Sequence, residues 1–371
     1  MNNKFRIINN NNIIIFYIFV SFLFTFYILG PENISPTNED WLFENDRASD
    51  LLVWKYFFDD QWRFPFGANE NFGLTISSSI AYSGSPLLYS FIFKIFKFVL
   101  PSNFNYFSIL IFFSIFLQIL IGYLIVYKIT KNRIYSLISS FLFIFLPIFL
   151  FKLEFHFSLI SHWLILSYFY VDLSKKNYEK KKNKFLFILL LSSLIHLYFT
   201  IMILLMLSIN RTIILSLDKK YVSFFKDIIF YLLPLLILMY SVGYFLFSPI
   251  NALGGGYGEY NLNLISFFNS YSNTISWSKF LPVLYTSNSE SFSYLGLGVL
   301  ILLINLIVYL IMKYDRIDIQ KNLKYIIIVI LLTLLAISNN IEFGKNLIFQ
   351  IELNKYVYAA LSIIRASIRM I

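Results

Sequence analysis

Long apolar runs broken by short polar stretches set the pattern of this chain. Ile13–Leu29, Phe104–Tyr127, Ile134–Phe151, Ser158–Leu173, Ile228–Phe247, Gly296–Met312 and Tyr325–Ser338 are dominated by Ile, Leu, Phe and Val. A helix of about twenty such residues crosses the roughly 30 Å hydrocarbon core of a bilayer. The pattern predicts an all-α fold, a polytopic transmembrane helix bundle of about eight to ten membrane segments within one domain over 1–371. Two further runs depart from it. Residues 84–100 carry Lys94 and Lys97 three apart, a basic stripe that suits an interfacial helix better than a span. Phe185–Ile209 is interrupted by His196. As two half-length helices turning there, it forms a re-entrant hairpin buried in protein, and this keeps Arg211, Lys219, Lys220 and Lys226 on the basic side.

Composition removes the alternatives. The chain is 58% hydrophobic and only 13% charged, with a mean hydropathy of +0.70. Soluble domains carry about 25% charged residues. The formal charge of +10 would suggest a polyanion in a soluble protein. Here the lysines and arginines crowd into short loops, most densely in KKNYEKKKNK (175–184). The positive-inside rule accounts for them, and no nucleic acid is expected as a partner. There is no cysteine and there are three histidines, which excludes disulfides, thiolate nucleophiles and cysteine metal sites.

The charges also orient the chain. Lys4 and Arg6 precede the first run, and no small-residue cleavage motif follows it. The N-terminus is therefore expected in the cytoplasm of a bacterial inner membrane, with an uncleaved anchor. Residues 30–78, 249–294 and 339–371 then become large outer loops. They collect the unusual polar stretches, and this convergence predicts a site at the outer membrane–water boundary.

The candidates follow from residue type. Asp40, Asp46 and Asp50 lie just beyond the first run, beside Arg47. Such carboxylates could act as a general base or hold a divalent cation, though nothing in the sequence requires a cofactor. Asp59 and Asp60 look like solvated loop residues. His156 and His162 are six apart, not the i,i+4 spacing of a shared metal face, and Trp163 follows directly. His196 sits in an apolar run, where a polar residue is either functional or structurally paired. GGGYGEYNLNL (254–264) is a flexible loop whose Tyr257, Tyr260 and Asn263 could close over a sugar or lipid headgroup. Glu290 and Tyr294 lie in ESFSYLGLG (290–298). Arg365 and Arg369, four apart, could share a helical face as a phosphate clamp.

In order along the chain, these residues resemble a known family. NDRASDLLVWKYFFDDQWRFPFG, LTISSSIAYSGSPLLYSFIFKIFKFVLPSNFNYFS, EFHFSLISHWLIL, HLYF, GGGYGEYNLNL, ESFSYLGLG, AISN and RASIRMI are similar to the motif series of a bacterial multi-span group. That group is carried as a domain of unknown function and regarded as GT-C-like membrane glycosyltransferases. The chain departs from it at Asn45, where members have Gly, at Ser83-Gly84-Ser85 in place of an acidic triplet, and at Ile368, where members have Gly. Members also continue past this last motif, so the resemblance implies that the chain is incomplete at its C-terminal end.

The resemblance implies a GT-C-like fold and transfer of a sugar from a polyprenyl-phosphate-linked donor to an extracytoplasmic glycan or lipid acceptor. Asp46 matches the family's catalytic acid, with Asp40 or Asp50 assisting. Arg365 and Arg369 would neutralise the departing lipid phosphate. Membrane lipid, donor and acceptor are the implied partners. A flippase or transporter for lipid-linked sugars, or an inactive scaffold in envelope-polysaccharide assembly, remains the alternative.

Overall fold

The computed structural model describes residues 10–72, 78–219, 221–246, 256–272, 275–284, 292–312 and 319–370. The chain is mostly helical. It divides into two compact units, one of Met1–Phe145, Phe149–Thr200 and Ile228–Ser248, the other of Leu146–Ile148, Ile201–Asp227 and Pro249–Ile371.

In the first unit α1 (Asn10–Asn33) realises the first apolar run, with its helical conformation interrupted at Gly30, whose φ of 77° only glycine adopts freely. Then come α2 (Asn45–Asp59), α3 (Leu87–Ile95), α4 (Phe107–Thr130) and α5 (Arg133–Ser140). The break between α4 and α5 is local chemistry. Lys131 takes the left-handed conformation at φ 58°, and the Asn132 Oδ1 accepts from the backbone N–H groups of Ile134 and Tyr135 at 3.0 and 3.1 Å. α6 (Pro147–Phe155), α7 (Trp163–Asp172) and α8 (Tyr178–Ser193) follow, and α9 (Leu197–Asp218) and α10 (Tyr221–Ser241) have residues in both units.

α4 is the axis of this unit: α1, α5 and α7 pack along it, and α8 packs on α7. Tyr17 of α1 is fully buried and shares a 2.8 Å hydrogen bond with Ser140 of α5. α2 buries Leu51, Trp54, Phe57 and Phe58, one face of a helix at 100° per residue. The Trp54 indole donates to the Phe104 carbonyl at 2.9 Å and meets the Tyr106 ring edge-on.

The second unit contains α11 (Leu297–Met312), α12 (Ile319–Ile337) and α13 (Lys355–Leu361), and a hairpin in which Asn340–Phe343 pairs antiparallel with Asn346–Gln350. Ser367 donates to the Ala336 carbonyl at 2.9 Å, pinning the short turn Ser367–Met370 against the end of α12.

Several expectations need correction. Among the described residues, four helices are long and apolar enough to cross a membrane: Asn11–Asn33, Phe107–Thr130, Leu197–Ser216 and Tyr221–Ser241. The expected span Ile134–Phe151 is instead a pair, Arg133–Phe143 and Pro147–Leu153, bent by 52°; counted as one it makes a fifth. Proline at the first position of α6 suits a helix start and not a continuation. Ser158–Leu173 is helical only from Trp163. α11, Asn322–Ile337 and Lys355–Ile364 are shorter apolar helices. The break near His196 falls where the sequence placed it, but α9 is 22 residues long, so the second arm of the expected re-entrant hairpin is full-length. The basic stripe at 84–100 does not form either. α3 ends at Ile95, and Lys94 turns inward, only 3% exposed, with its ammonium over the rings of Phe57 and Trp62 at 3.7 and 4.7 Å.

The structure also contains a charge pair that hydropathy conceals. Arg211 of α9 and Asp227 of α10 are both buried in the second unit, with Nη2 and Oδ2 2.6 Å apart. Leaving one charge unpaired in such a place costs more than the pair itself contributes. Asp227→Asn is expected to lower stability by roughly 3–5 kcal/mol, read as the unfolding midpoint in detergent. The double change Arg211→Met/Asp227→Leu should recover most of that loss.

Candidate functional site

The acidic stretch after the first run becomes the start of α2, where two carboxylates four residues apart share a face but differ in depth. Asp46 stands in the first turn, where the positive end of the helix dipole favours a carboxylate. Its side chain is 70% exposed, and its Oδ2 lies 3.5 Å from the Nδ1 of His156, which is 14% exposed. Asp50, one turn on, is buried at 7%. Burial first, and then the neighbouring Asp46 charge, push its carboxyl up to about 7; a backbone hydrogen bond from Gly84 works in the opposite direction. One helix face thus offers an exposed carboxylate beside an imidazole and a buried carboxyl that titrates near neutrality, an arrangement suited to proton transfer.

The pocket around Asp50 is built by the turn before α3. A Cβ at Gly84 would lie 2.3 Å from Asp50 Oδ1 and 2.4 Å from Oδ2, so the carboxyl occupies space that only glycine leaves open. Ser85 donates to the Asp50 carbonyl at 2.6 Å, and Ser90 shares a 2.9 Å hydrogen bond with the buried Tyr106 hydroxyl. Sequence inspection missed Gly84, Ser85 and Tyr106 as neighbours of Asp50. The available signal was the small-residue run SGSP (83–86), whose freedom from bulk permits the close approach.

The shell beside Asp46 is aromatic. Arg47 donates to the Trp41 carbonyl at 3.2 Å and lies 3.5 Å from Glu44. Trp41 meets Phe157 edge-on at 5.7 Å, next to His156. The indole Nε1 of Trp41 and the Nε of Arg47 are buried with no acceptor. Asp40 is exposed in the turn Asp40–Leu42 and makes no ion pair among the described residues. Nor, among the described residues, do three His, Asp or Glu side chains gather into a group able to hold a metal ion.

The other histidines have structural surroundings. His162 sits between the rings of Phe149 and Phe199, at 5.9 and 5.8 Å. Trp163 is buried, with its Nε1 lacking an acceptor. His196 accepts from the Tyr198 backbone N–H at 3.2 Å and stacks on the Tyr198 ring, which terminates the break before α9.

The remaining candidates belong to the second unit. Tyr257 is buried and donates to the Leu335 carbonyl at 2.9 Å. Asn263, fully buried, donates to the Gly344 carbonyl at 2.8 Å and accepts from the Gly344 N–H at 3.0 Å. Both side chains are committed to backbone. Arg365 donates to the Tyr260 hydroxyl at 3.2 Å and lies 3.4 Å from Glu259. Arg365 and Arg369 do not ride one α-helix, because α13 gives way to the short turns Ser362–Ile364 and Ser367–Met370; the helical register invoked for a clamp is absent. Tyr294 is buried with its hydroxyl unpartnered, and Glu290 lies outside the described residues.

A family model described as a domain of unknown function, DUF6311, matches residues 18–371. No curated protein and no solved structure matches the chain.

The Asp50 carboxyl sets a pH dependence. Its folded pKa of about 7 lies above the ordinary aspartate value of 3.8. Its contribution to stability is thus fully present below about pH 4 and lost as pH rises through about 7, by up to about 1.4 kcal/mol per unit. Wild type and Asp50→Asn should unfold at similar temperatures at pH 4, with the variant the more stable at pH 8. Gly84→Ala is expected to destabilise at both pH values and to displace the Asp50 carboxyl, seen as loss of the difference between pH 4 and pH 8.

Proposed function

The chain belongs to this family of unknown function, whose model covers nearly its whole length, and from that premise we propose that it is a GT-C-like membrane glycosyltransferase. Its donor would be a polyprenyl-phosphate-linked sugar and its acceptor an extracytoplasmic glycan or lipid. The reading places the chain in a bacterial inner membrane with its N-terminus in the cytoplasm and eight to ten membrane segments, the shorter apolar helices included. The carrying observation is the exposed Asp46 carboxylate beside His156, one turn before the buried Asp50.

In this mechanism Asp46 accepts the proton of the acceptor hydroxyl as its oxygen attacks the anomeric carbon. The new oxygen–carbon bond forms while the bond from that carbon to the phosphate oxygen breaks, and the electron pair leaves with the lipid phosphate. His156, 3.5 Å from Asp46, orients the carboxylate and can carry the proton onward. Asp50, near-neutral and buried, holds the local field and is not the base. Arg47 and Trp41 offer donors to sugar or phosphate oxygens, since their buried N–H groups have no acceptor.

A flippase or transporter of lipid-linked sugars is the second reading, and one observation favours it. The buried Arg211–Asp227 pair links two candidate spans, and ionisable residues at such positions often mark a transport path.

The deciding experiment is transfer of labelled sugar from a polyprenyl-phosphate donor pool by the purified chain. Wild type should transfer. Asp46→Asn should fall by about 100-fold or more, the scale of general-base catalysis, while keeping its insertion and unfolding midpoint. Full activity in that variant would sink the assignment. Donor movement across vesicles without transfer, abolished in Asp227→Asn, would establish the second reading.

A further inference from the structure

A second chemically distinctive place lies elsewhere in the first unit. A cleft of about 760 Å³ opens where α4 ends and α7 passes into α8, and its lining includes Lys128, Lys175, Lys176, Lys180, Lys181 and Lys184. No aspartate or glutamate lines it. Of the two carboxylates adjacent in sequence to lining residues, Asp172 is buried and Glu179 pairs with Lys182, which is not part of the lining. Like charges at this density repel one another, and an anion relieves that repulsion.

Two of the lysines are fixed in place. Lys128 donates to the Tyr170 carbonyl at 2.7 Å and lies 4.0 Å from the centre of the Tyr170 ring; Lys181 donates to the Asp172 carbonyl at 2.7 Å. An ammonium has three donors, so one bond to a carbonyl fixes its position without using them all. Lys175, Lys176, Lys180 and Lys184 are exposed. The cleft also meets the start of α8, where Asn177 and Lys180 line it and the helix dipole adds positive potential. Lys128 stands in the last turn of α4, a candidate span, so the cleft lies at the level where a span gives way to water. Lysine clusters at that level recognise phosphorylated headgroups.

We propose that this cleft binds a multiply charged phosphate group, carried by a membrane lipid headgroup or by a soluble phosphate compound. The site is independent of Asp46 and does not rest on the transferase assignment. Lysines placed only to orient the chain in the membrane would need neither an enclosed volume nor two ammonium groups anchored to backbone carbonyls.

The test uses the full chain in two arms. Inorganic pyrophosphate is titrated calorimetrically into the detergent-purified protein, and retained lipid is measured by native mass spectrometry after reconstitution in equal phosphatidylglycerol and phosphatidylcholine. Wild type should bind pyrophosphate, retain phosphatidylglycerol preferentially, or do both; lipid displaced by pyrophosphate identifies the headgroup as the source, and pyrophosphate binding without lipid preference identifies a soluble compound. Lys180→Gln/Lys184→Gln should weaken binding roughly tenfold or more, as should Lys175→Gln/Lys176→Gln, with both variants keeping the wild-type unfolding midpoint. Lys180→Arg/Lys184→Arg and the pair Lys279→Gln/Lys345→Gln of the second unit should leave it within about twofold. No binding in either arm, or equal weakening by the second-unit pair, overturns the proposal.

Discussion

The site depends on the way α2 is seated. Trp54, Leu51, Phe57 and Phe58 must leave water together, and a helix can present that face inward at only one rotation. Burying an aromatic or leucine side chain contributes about 1.5–3 kcal/mol, so four of them outweigh the expense of drawing one carboxyl inward with them. That rotation carries Asp50 into the interior and leaves Asp46, at the water-facing start of the helix, exposed. The contrast between two identical functional groups is therefore a by-product of aromatic packing, and it is what makes the pair chemically useful.

The rest of the first unit conforms to that seating. The turn before α3 gives up all side-chain volume at Gly84, so that the Asp50 carboxyl can lie against backbone. Lys94 enters the same aromatic layer and is held over Phe57 and Trp62. Its burial pulls the ammonium down to about 8. In the second unit Arg211 and Asp227 solve the same problem by pairing with each other. In each case a polar group taken from water finds a ring, a backbone donor or an opposite charge, because an uncompensated one costs several kcal/mol.

The membrane character and the acidic site reinforce one another. The longest helices are apolar enough to span, while the polar stretches between them carry Asp46, His156 and the lysine cleft. An aromatic wall of Trp41, Phe157 and Phe107 stands beside Asp46 and His156. The lysine cleft has the opposite character, open and uniformly positive, which favours a mobile and highly charged group over a sugar ring.

Much of this was legible in the sequence. The apolar runs gave α1, α4 and α10, since hydropathy over twenty residues is a local property that packing does not reverse. The break near His196 was legible for the same reason. Other features were not. The bend before Pro147, the shortness of α7 and the inward turn of Lys94 depend on neighbours remote in the chain. So does the commitment of Tyr257 and Asn263 to backbone carbonyls, because a polar side chain in a loop carries no mark of whether a ligand or a backbone group will claim it. The pattern of residues by itself determined that this is a helical membrane protein with acids gathered in one stretch. Only the tertiary structure decided which acid is exposed, which is buried, and which histidine stands beside it, because burial and proximity are set by packing and not by order along the chain.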